Sequence, residues 1–274
     1  MTRNTVRCVA ALVVLAALAL AGAAQARELL LATTTSVRDS GLLDDILPPF
    51  RTRSGIDVKV IAVGSGAALE MARRGDADLV ISHAPDSERK LVEEGALTAR
   101  RPFAENFFLI AGPAADPAHA KGAASAVEVI QRIAKAKAPF ATRGDDSGTH
   151  QRERKLFEQA GLPKGPSWPG VLRTGAGMGP TLQVAGEKRA YLLSDEATFR
   201  AFRARVDLVS FTGPDPALRN VYSVLLVPPD RFPPGRIQAA EARALFTYLV
   251  EPATLERIGR FGADASGPLF RPLP

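Results

Sequence analysis

Residues 141–150 read Ala-Thr-Arg-Gly-Asp-Asp-Ser-Gly-Thr-His, a set of side chains suited to holding a small oxyanion. Arg143 carries a permanent charge on a rigid fork of N–H donors, and the hydroxyls of Ser147 and Thr149 donate without adding charge. Gly144 and Gly148 let backbone N–H groups come close to a ligand. Residues 151–160, Gln-Arg-Glu-Arg-Lys-Leu-Phe-Glu-Gln-Ala, read as a helix whose unpaired first-turn N–H groups and positive dipole end face the same anion.

Three other runs have a similar makeup: Thr33-Thr34-Thr35-Ser36 followed by Asp39-Ser40-Gly41, then Gly64-Ser65-Gly66, and Gly175-Ala176-Gly177-Met178-Gly179-Pro180-Thr181. Each alone is also ordinary capping and turn chemistry. Together, in an α/β chain, they point to a shared cleft, because ligands of open α/β sheets collect where strands end and helices begin. Arg143 has a competing role as a salt-bridge partner of Asp145 or Asp146.

Catalytic readings are weaker. Ser147, His150 and Asp146 could be drawn as a triad, but no G-x-S-x-G elbow surrounds a serine. His83, His119 and His150 are the only histidines, and no metal-ligating spacing accompanies them. Neither G-x-G-x-x-G nor G-x-x-x-x-G-K-[ST] is present, so no nucleotide, metal or cofactor is expected and no catalytic residue is assigned.

The elements that must position these residues alternate along the chain. Apolar runs at residues 29–33, 58–63 and 79–82 are separated by helical stretches at 42–53, 67–74 and 88–94. A longer apolar strand at 107–113 precedes a soft region, residues 114–125. The alternation resumes with a helix at 126–137, a strand at 139–142, a helix at 181–188, a strand at 190–194 and a helix at 196–203. A second long strand at 221–227 and helices at 239–250 and 253–258 end the chain. Two long strands bracketing a central α/β block suggest two crossings between lobes, with lobe 1 formed by residues 27–112 and 220–274 and lobe 2 by 113–219.

Arg3 and Arg7 precede an apolar run at 9–21, and Ala24-Gln25-Ala26 is a small-x-small cleavage site, so residues 1–26 are expected to be an export signal. The only cysteine, Cys8, lies within it, which removes disulfides, thiolate metal sites and cysteine nucleophiles from the remainder. Net charge is +6 for the whole chain, and +4 once Arg3 and Arg7 are set aside. That mild excess is scattered among acids, unlike the basic stripe of a nucleic-acid binder, and suits attraction of small anions.

On these stretches, together with Asn106-Phe107-Phe108 and residues 72–78, the chain resembles the periplasmic tungstate-binding components of ABC transporters, within the type II periplasmic solute-binding proteins. The resemblance spans residues 29–225. It implies a two-lobe α/β fold with a ligand cleft between the lobes, capture of tungstate and also molybdate in the periplasm, and delivery to an ABC permease at the inner membrane. A monomer is expected. The likeness carries ligand contacts onto Thr34, Thr35, Ser36, Ser65, Gly66, Arg143, Ser147, Gly148 and Thr149, with Asp146 kept in the set. One departure is Leu193-Ser194-Asp195-Glu196, where the family often has Arg in the last place. Glu196 then either faces the cleft or opens a helix, where an acid is favourable.

Tungstate is a fully deprotonated dianion that only accepts hydrogen bonds, so a site of donors suits it. Phosphate near pH 7 keeps a proton and benefits from a carboxylate acceptor, which Asp145 or Asp146 could supply. Our reading has these aspartates orient Arg143 or cap the helix, leaving phosphate transport as the rival and a periplasmic phosphate- or sulfate-ester hydrolase as a more distant one.

Overall fold

The computed structural model describes residues 27–264 and 267–274; the expected export signal lies outside the described residues. In chain order the first part comprises β1 (Arg27–Thr34), α1 (Thr35–Asp39), α2 (Leu42–Ser54), β2 (Ile56–Val63), α3 (Ser65–Arg73), β3 (Leu79–Ser82) and α4 (Pro85–Glu93). A 15-residue strand, β4 (Thr98–Gly112), leads to α5 (Ala126–Ala136), β5 (Phe140–Thr142), α6 (Gly148–Gln159), β6 (Val171–Arg173), α7 (Met178–Glu187), β7 (Tyr191–Asp195) and α8 (Glu196–Phe202). The chain returns through β8 (Val209–Ser210) and β9 (Arg219–Leu226) to α9 (Ala239–Val250), α10 (Pro252–Arg260) and β10 (Arg271–Pro272).

The strand order is β2-β1-β3-β9-β4-β7-β5-β6, with β8 and β10 also paired to β4. β1 is parallel to β2 and β3, and β5 is parallel to β6 and β7, whereas β9 and β4 run antiparallel to their neighbours. β4 serves both halves: Thr98 to Phe107 pairs with β9, and Phe108 to Ala111 pairs with β7. This is a two-lobe α/β fold in which one strand passes from one sheet region to the other.

Each region is covered on both faces. In the first, Leu29, Leu31 and Val224 face α2, α9 and α10 in a core with Phe50, Leu245 and Leu249, while Ala32, Val80 and Leu225 face α3. In the second, Phe140, Tyr191 and Leu193 pack against Ile130, Ile133 and Phe157, and Ala141 and Leu192 against Met178 and Leu182. Parallel strands buried on both faces read as continuous apolar runs, which is why the alternation was legible.

Besides the short strands β8 and β10, which the sequence did not suggest, three elements differ from expectation. β4 begins at Thr98 rather than near 107, because Thr-Ala-Arg-Arg-Pro is partly exposed and polar there and is held as strand by its ladder with β9. Residues 35–39 form a separate helical turn, with Thr34 as its N-cap accepting from Val37 N at 3.4 Å. β6 has three residues, too few to show a period, and is held by parallel pairing to β5.

Candidate functional site

Four strand-to-helix junctions converge. From the first region come the starts of α1 (Thr34 to Ser36) and α3 (Gly64 to Gly66), and from the second the starts of α6 (Arg143 to Thr149) and α7 (Gly175 to Met178). Their closeness is set by residues without a Cβ. A Cβ at Gly64 would lie 3.4 Å from Ser147 Cβ, one at Gly66 3.5 Å from Asp146 O, and one at Gly177 3.4 Å from Thr35 Cβ. At Gly148 it would come within 2.8 Å of both Ser65 Oγ and His83 Cε1, closer than real Cβ atoms sit. Only glycine fits at that seam.

Among the described residues, five buried hydroxyl oxygens have no hydrogen-bond partner, those of Thr33, Thr35, Ser65, Thr149 and Ser223, and three of them, Thr35, Ser65 and Thr149, lie at these helix starts. Buried hydroxyls are nearly always satisfied, so three unsatisfied ones at one locus mark a place where a ligand supplies the acceptors. The unpaired N–H groups at the four helix starts add neutral donors with the helix dipoles aligned.

Arg143, at the end of β5, is 3% exposed. Its Nη2 and Nε donate to Asp145 Oδ2 at 2.6 and 3.2 Å, leaving further N–H groups of the fork for another acceptor. Burial works against the Asp145 carboxylate, but the charge of Arg143 and hydrogen bonds from Ser147 and Arg143 outweigh it and hold its pKa below the ordinary value. Ser147 caps α6, accepting from His150 N at 3.3 Å, and its own N donates to Asp145 Oδ1 at 3.2 Å. Asp145 is thus occupied in orienting Arg143 and the loop.

Asp146 stands apart: its φ is +56°, and its side chain is 69% exposed and lies 3.6 Å from Arg154. Its Oδ2 would lie 3.8 Å from a Cβ at Gly66, so the carboxylate stands at the exposed edge of the α3 junction, outside the buried part of the shell. Glu196 is the first residue of α8, half-buried, 3.7 Å from Arg200, in a pocket of about 260 Å³ that it shares with Phe107, Phe199 and Arg203. Thr34, Thr35, Ser36, Ser65, Gly66, Arg143, Ser147, Gly148 and Thr149 all lie at the converging junctions.

Sequence reasoning missed His83, which follows β3 at a fifth junction. Its Nε2 is 3.3 Å from Ser36 Oγ and its Nδ1 2.9 Å from Asn220 Oδ1. Burial, with Arg143 and Arg152 adding to it, pushes its pKa down to about 4 against the hydrogen bond to Asn220. Asn220 in turn meets Asn106 and Tyr222. The available signal was a polar residue inside an apolar strand: Asn106 in β4 and Asn220 in β9 are both almost fully buried. Asp195, the N-cap of α8, accepts from Thr198 N and Oγ1 at 2.9 and 3.0 Å, and burial raises its pKa to about 6.

The enclosure offers hydrogen-bond donors that suit an anion. Ser147 Oγ is engaged as a cap, and His150 Nδ1 accepts from Asp146 N at 3.0 Å, so these residues form a helix start and not a nucleophile with its base. Lys155 on α6 pairs with Asp86 on α4 at the rim, joining the two regions.

The described family model "PBP superfamily domain" matches residues 21–253. The chain is 37% identical over 249 residues to the tungstate-binding protein TupA of Peptoclostridium acidaminophilum, covering 89% of this chain and 85% of the relative. Among solved structures, the tungstate ABC transporter protein of Geobacter sulfurreducens superimposes with a TM-score of 0.76 at 40% identity, covering 84% of this chain and 96% of the other. The tungstate-binding protein TupA of Desulfovibrio alaskensis gives 0.73 at 37% identity, covering 90% and 99%.

Proposed function

Given that the chain belongs to the PBP superfamily and, within it, to the tungstate-binding proteins of ABC transporters, we propose that it captures tungstate, and also molybdate, and delivers it to a membrane permease. One observation carries this reading at the level of atoms. Arg143 and three unpartnered buried hydroxyls from both regions lie at three of the converging helix starts, with the nearby Asp145 carboxylate already engaged by Arg143. Such a shell donates and scarcely accepts, which matches a fully deprotonated dianion better than a protonated phosphate.

Arg143 supplies the charge, while Thr35, Ser65, Thr149 and the first-turn N–H groups supply neutral donors. Residues 27–112 with 220–274 act as one lobe and 113–219 as the other, joined through β4 and β9. The anion docks on one lobe, and donors from the other complete its shell and favour the closed form, which the permease reads. The protein is a carrier and not an enzyme, works in the periplasm as a monomer, and reaches it through an export signal at residues 1–26.

Calorimetric titration with tungstate, molybdate, sulfate and phosphate tests this. Saturable one-to-one tungstate binding is the expected result. Tight phosphate binding without tungstate heat would overturn it in favour of phosphate transport.

A further inference from the structure

Three consecutive residues, Thr34, Thr35 and Ser36, bring hydroxyls to the start of α1, and the hydrogen bonds around them have a direction. Asn220 Nδ2 donates to Asn106 Oδ1 at 2.9 Å and to the Tyr222 hydroxyl at 2.8 Å, which turns Asn220 Oδ1 toward His83 Nδ1 at 2.9 Å. An amide oxygen only accepts, so Nδ1 carries the ring proton. His83 is 4% exposed, with Tyr222 and Phe108 against its ring, and its surroundings keep it neutral. Nε2 then has a lone pair and no hydrogen.

The contact between Nε2 and Ser36 Oγ, at 3.3 Å, must take its hydrogen from Ser36. A serine has one hydroxyl proton, so the 3.1 Å contact between Ser36 Oγ and Thr34 Oγ1 takes its hydrogen from Thr34. Thr34 Oγ1 also accepts from Val37 N as the helix cap. The chain of donors runs Thr34 to Ser36 to His83 to Asn220, and it uses the protons of two of the three hydroxyls. Thr35 Oγ1 is the one left without a partner.

We propose that His83 is a positioning residue of the anion site: held as the Nδ1–H tautomer by Asn220, it draws the Ser36 proton away from the anion and leaves Thr35 as the one of the three hydroxyls at the start of α1 that is free to donate to it. The assignment rests on the reading that an oxyanion occupies the converging junctions. It changes what Ser36 and Thr34 do. Their hydroxyls fix the first turn of α1 before the ligand arrives, so the donors that remain are preorganised and the anion is selected by fixed positions and not by rotating hydroxyls. This orientation leaves Asn106 Nδ2 without a partner among the described residues; turning Asn220 and Asn106 over together would leave the Asn106 amide oxygen unpaired instead, reverse the chain and make Nε2 the donor to Ser36.

Two measurements on the whole protein test this. In protein with ¹⁵N-labelled histidine, long-range proton–nitrogen spectra at pH 7 should show His83 with Nδ1 protonated and Nε2 bare, with and without sodium tungstate. The signal is assigned by its loss in His83→Gln. The Nε2–H tautomer would overturn the proposal.

The second measurement compares two variants by calorimetry with tungstate and by thermal melting. Thr35→Val should weaken binding about tenfold or more with little change in Tm. Ser36→Ala should weaken it by less than about threefold but lower Tm, because it leaves a buried Nε2 unpaired. The opposite pattern, or equal losses of affinity, would overturn the proposal. If the unaltered protein gives no tungstate heat, the functional reading fails and the donor assignment with it, whereas the tautomer spectrum judges the hydrogen-bond chain without any anion.

Discussion

On one wall of the site the hydroxyls of Thr34 and Ser36 are wired through His83 to Asn220 and Asn106, residues on the strands that join the two regions. On the other, Arg143 carries a full charge and is steadied by Asp145, two residues away, and by the loop that Ser147 closes. The first wall is neutral and braced by long-range contacts, while the second is charged and braced locally. Beneath each lies a buried titratable group held neutral in opposite senses. His83, a base, is pushed down to about 4, and Glu153, an acid bonded to Thr142 Oγ1 at 2.6 Å, is pushed up to about 8, in both cases chiefly by burial. The difference teaches that the charged wall rests on Arg143 and its partner Asp145, while His83 and Glu153 beneath the two walls are kept uncharged.

The largest test of that division is Arg143→Ala. Charge-assisted hydrogen bonds contribute about 1.5–3 kcal/mol each, so losing two should weaken tungstate binding by roughly a hundredfold or more in calorimetry. A loss no larger than that of a single hydroxyl would erase the contrast between the walls.

Next in size is Gly148→Ala. The added methyl meets Ser65 Oγ and His83 at 2.8 Å, and overpacking of this kind costs about 1–3 kcal/mol. The two walls should then fail to meet, weakening the anion roughly tenfold, and small-angle scattering should show little compaction on adding tungstate. Compaction equal to that of the unaltered protein would mean the seam tolerates a side chain.

Ser65→Ala and Thr149→Val each remove one unpartnered hydroxyl, one from either wall, and should each weaken binding about tenfold. Similar losses would show that neutral donors count alike on both walls; a large asymmetry would place the anion nearer one of them.

The smallest effect concerns pH and stability. Glu153 keeps its proton in the folded state up to about pH 8 but loses it near 4.5 when unfolded, so its contribution is lost as pH rises across that window. His83 stays unprotonated down to about pH 4 when folded and protonates near 6.5 when unfolded, so stability falls as pH drops between those values. Relative to the unaltered protein, Glu153→Gln should therefore gain stability from pH 5 to pH 9, and His83→Gln from pH 7 to pH 4.5. Urea denaturation at each pH measures both. Parallel pH profiles for variant and parent would show that the group titrates alike in both states.

The contrast between the walls is also a contrast in legibility. Arg143, Asp145, Ser147 and Thr149 lie within seven residues, and the cap of α6 brings them together with short-range hydrogen bonds, so their chemistry can be read along the chain. The alternation of strands and helices was equally readable, because strands covered on both faces are apolar runs. His83 and Asn220 are 137 residues apart and Asn220 and Asn106 are 114 apart, so no local pattern links them. Asp146 shows the limit in the other direction. It belongs to the anion loop in sequence, yet its backbone is left-handed and its exposed carboxylate lies at the edge, between Arg154 and the Gly66 junction.

The sequence by itself determined the α/β alternation and the residue types at each strand-to-helix junction, since both follow from local periodicity, capping and turn chemistry. Only the tertiary structure decided which junctions meet, which hydroxyls keep a free proton, and which carboxylates are engaged. Those outcomes depend on β4 and β9 carrying polar groups from distant parts of the chain into one buried enclosure, where an unpaired donor is costly.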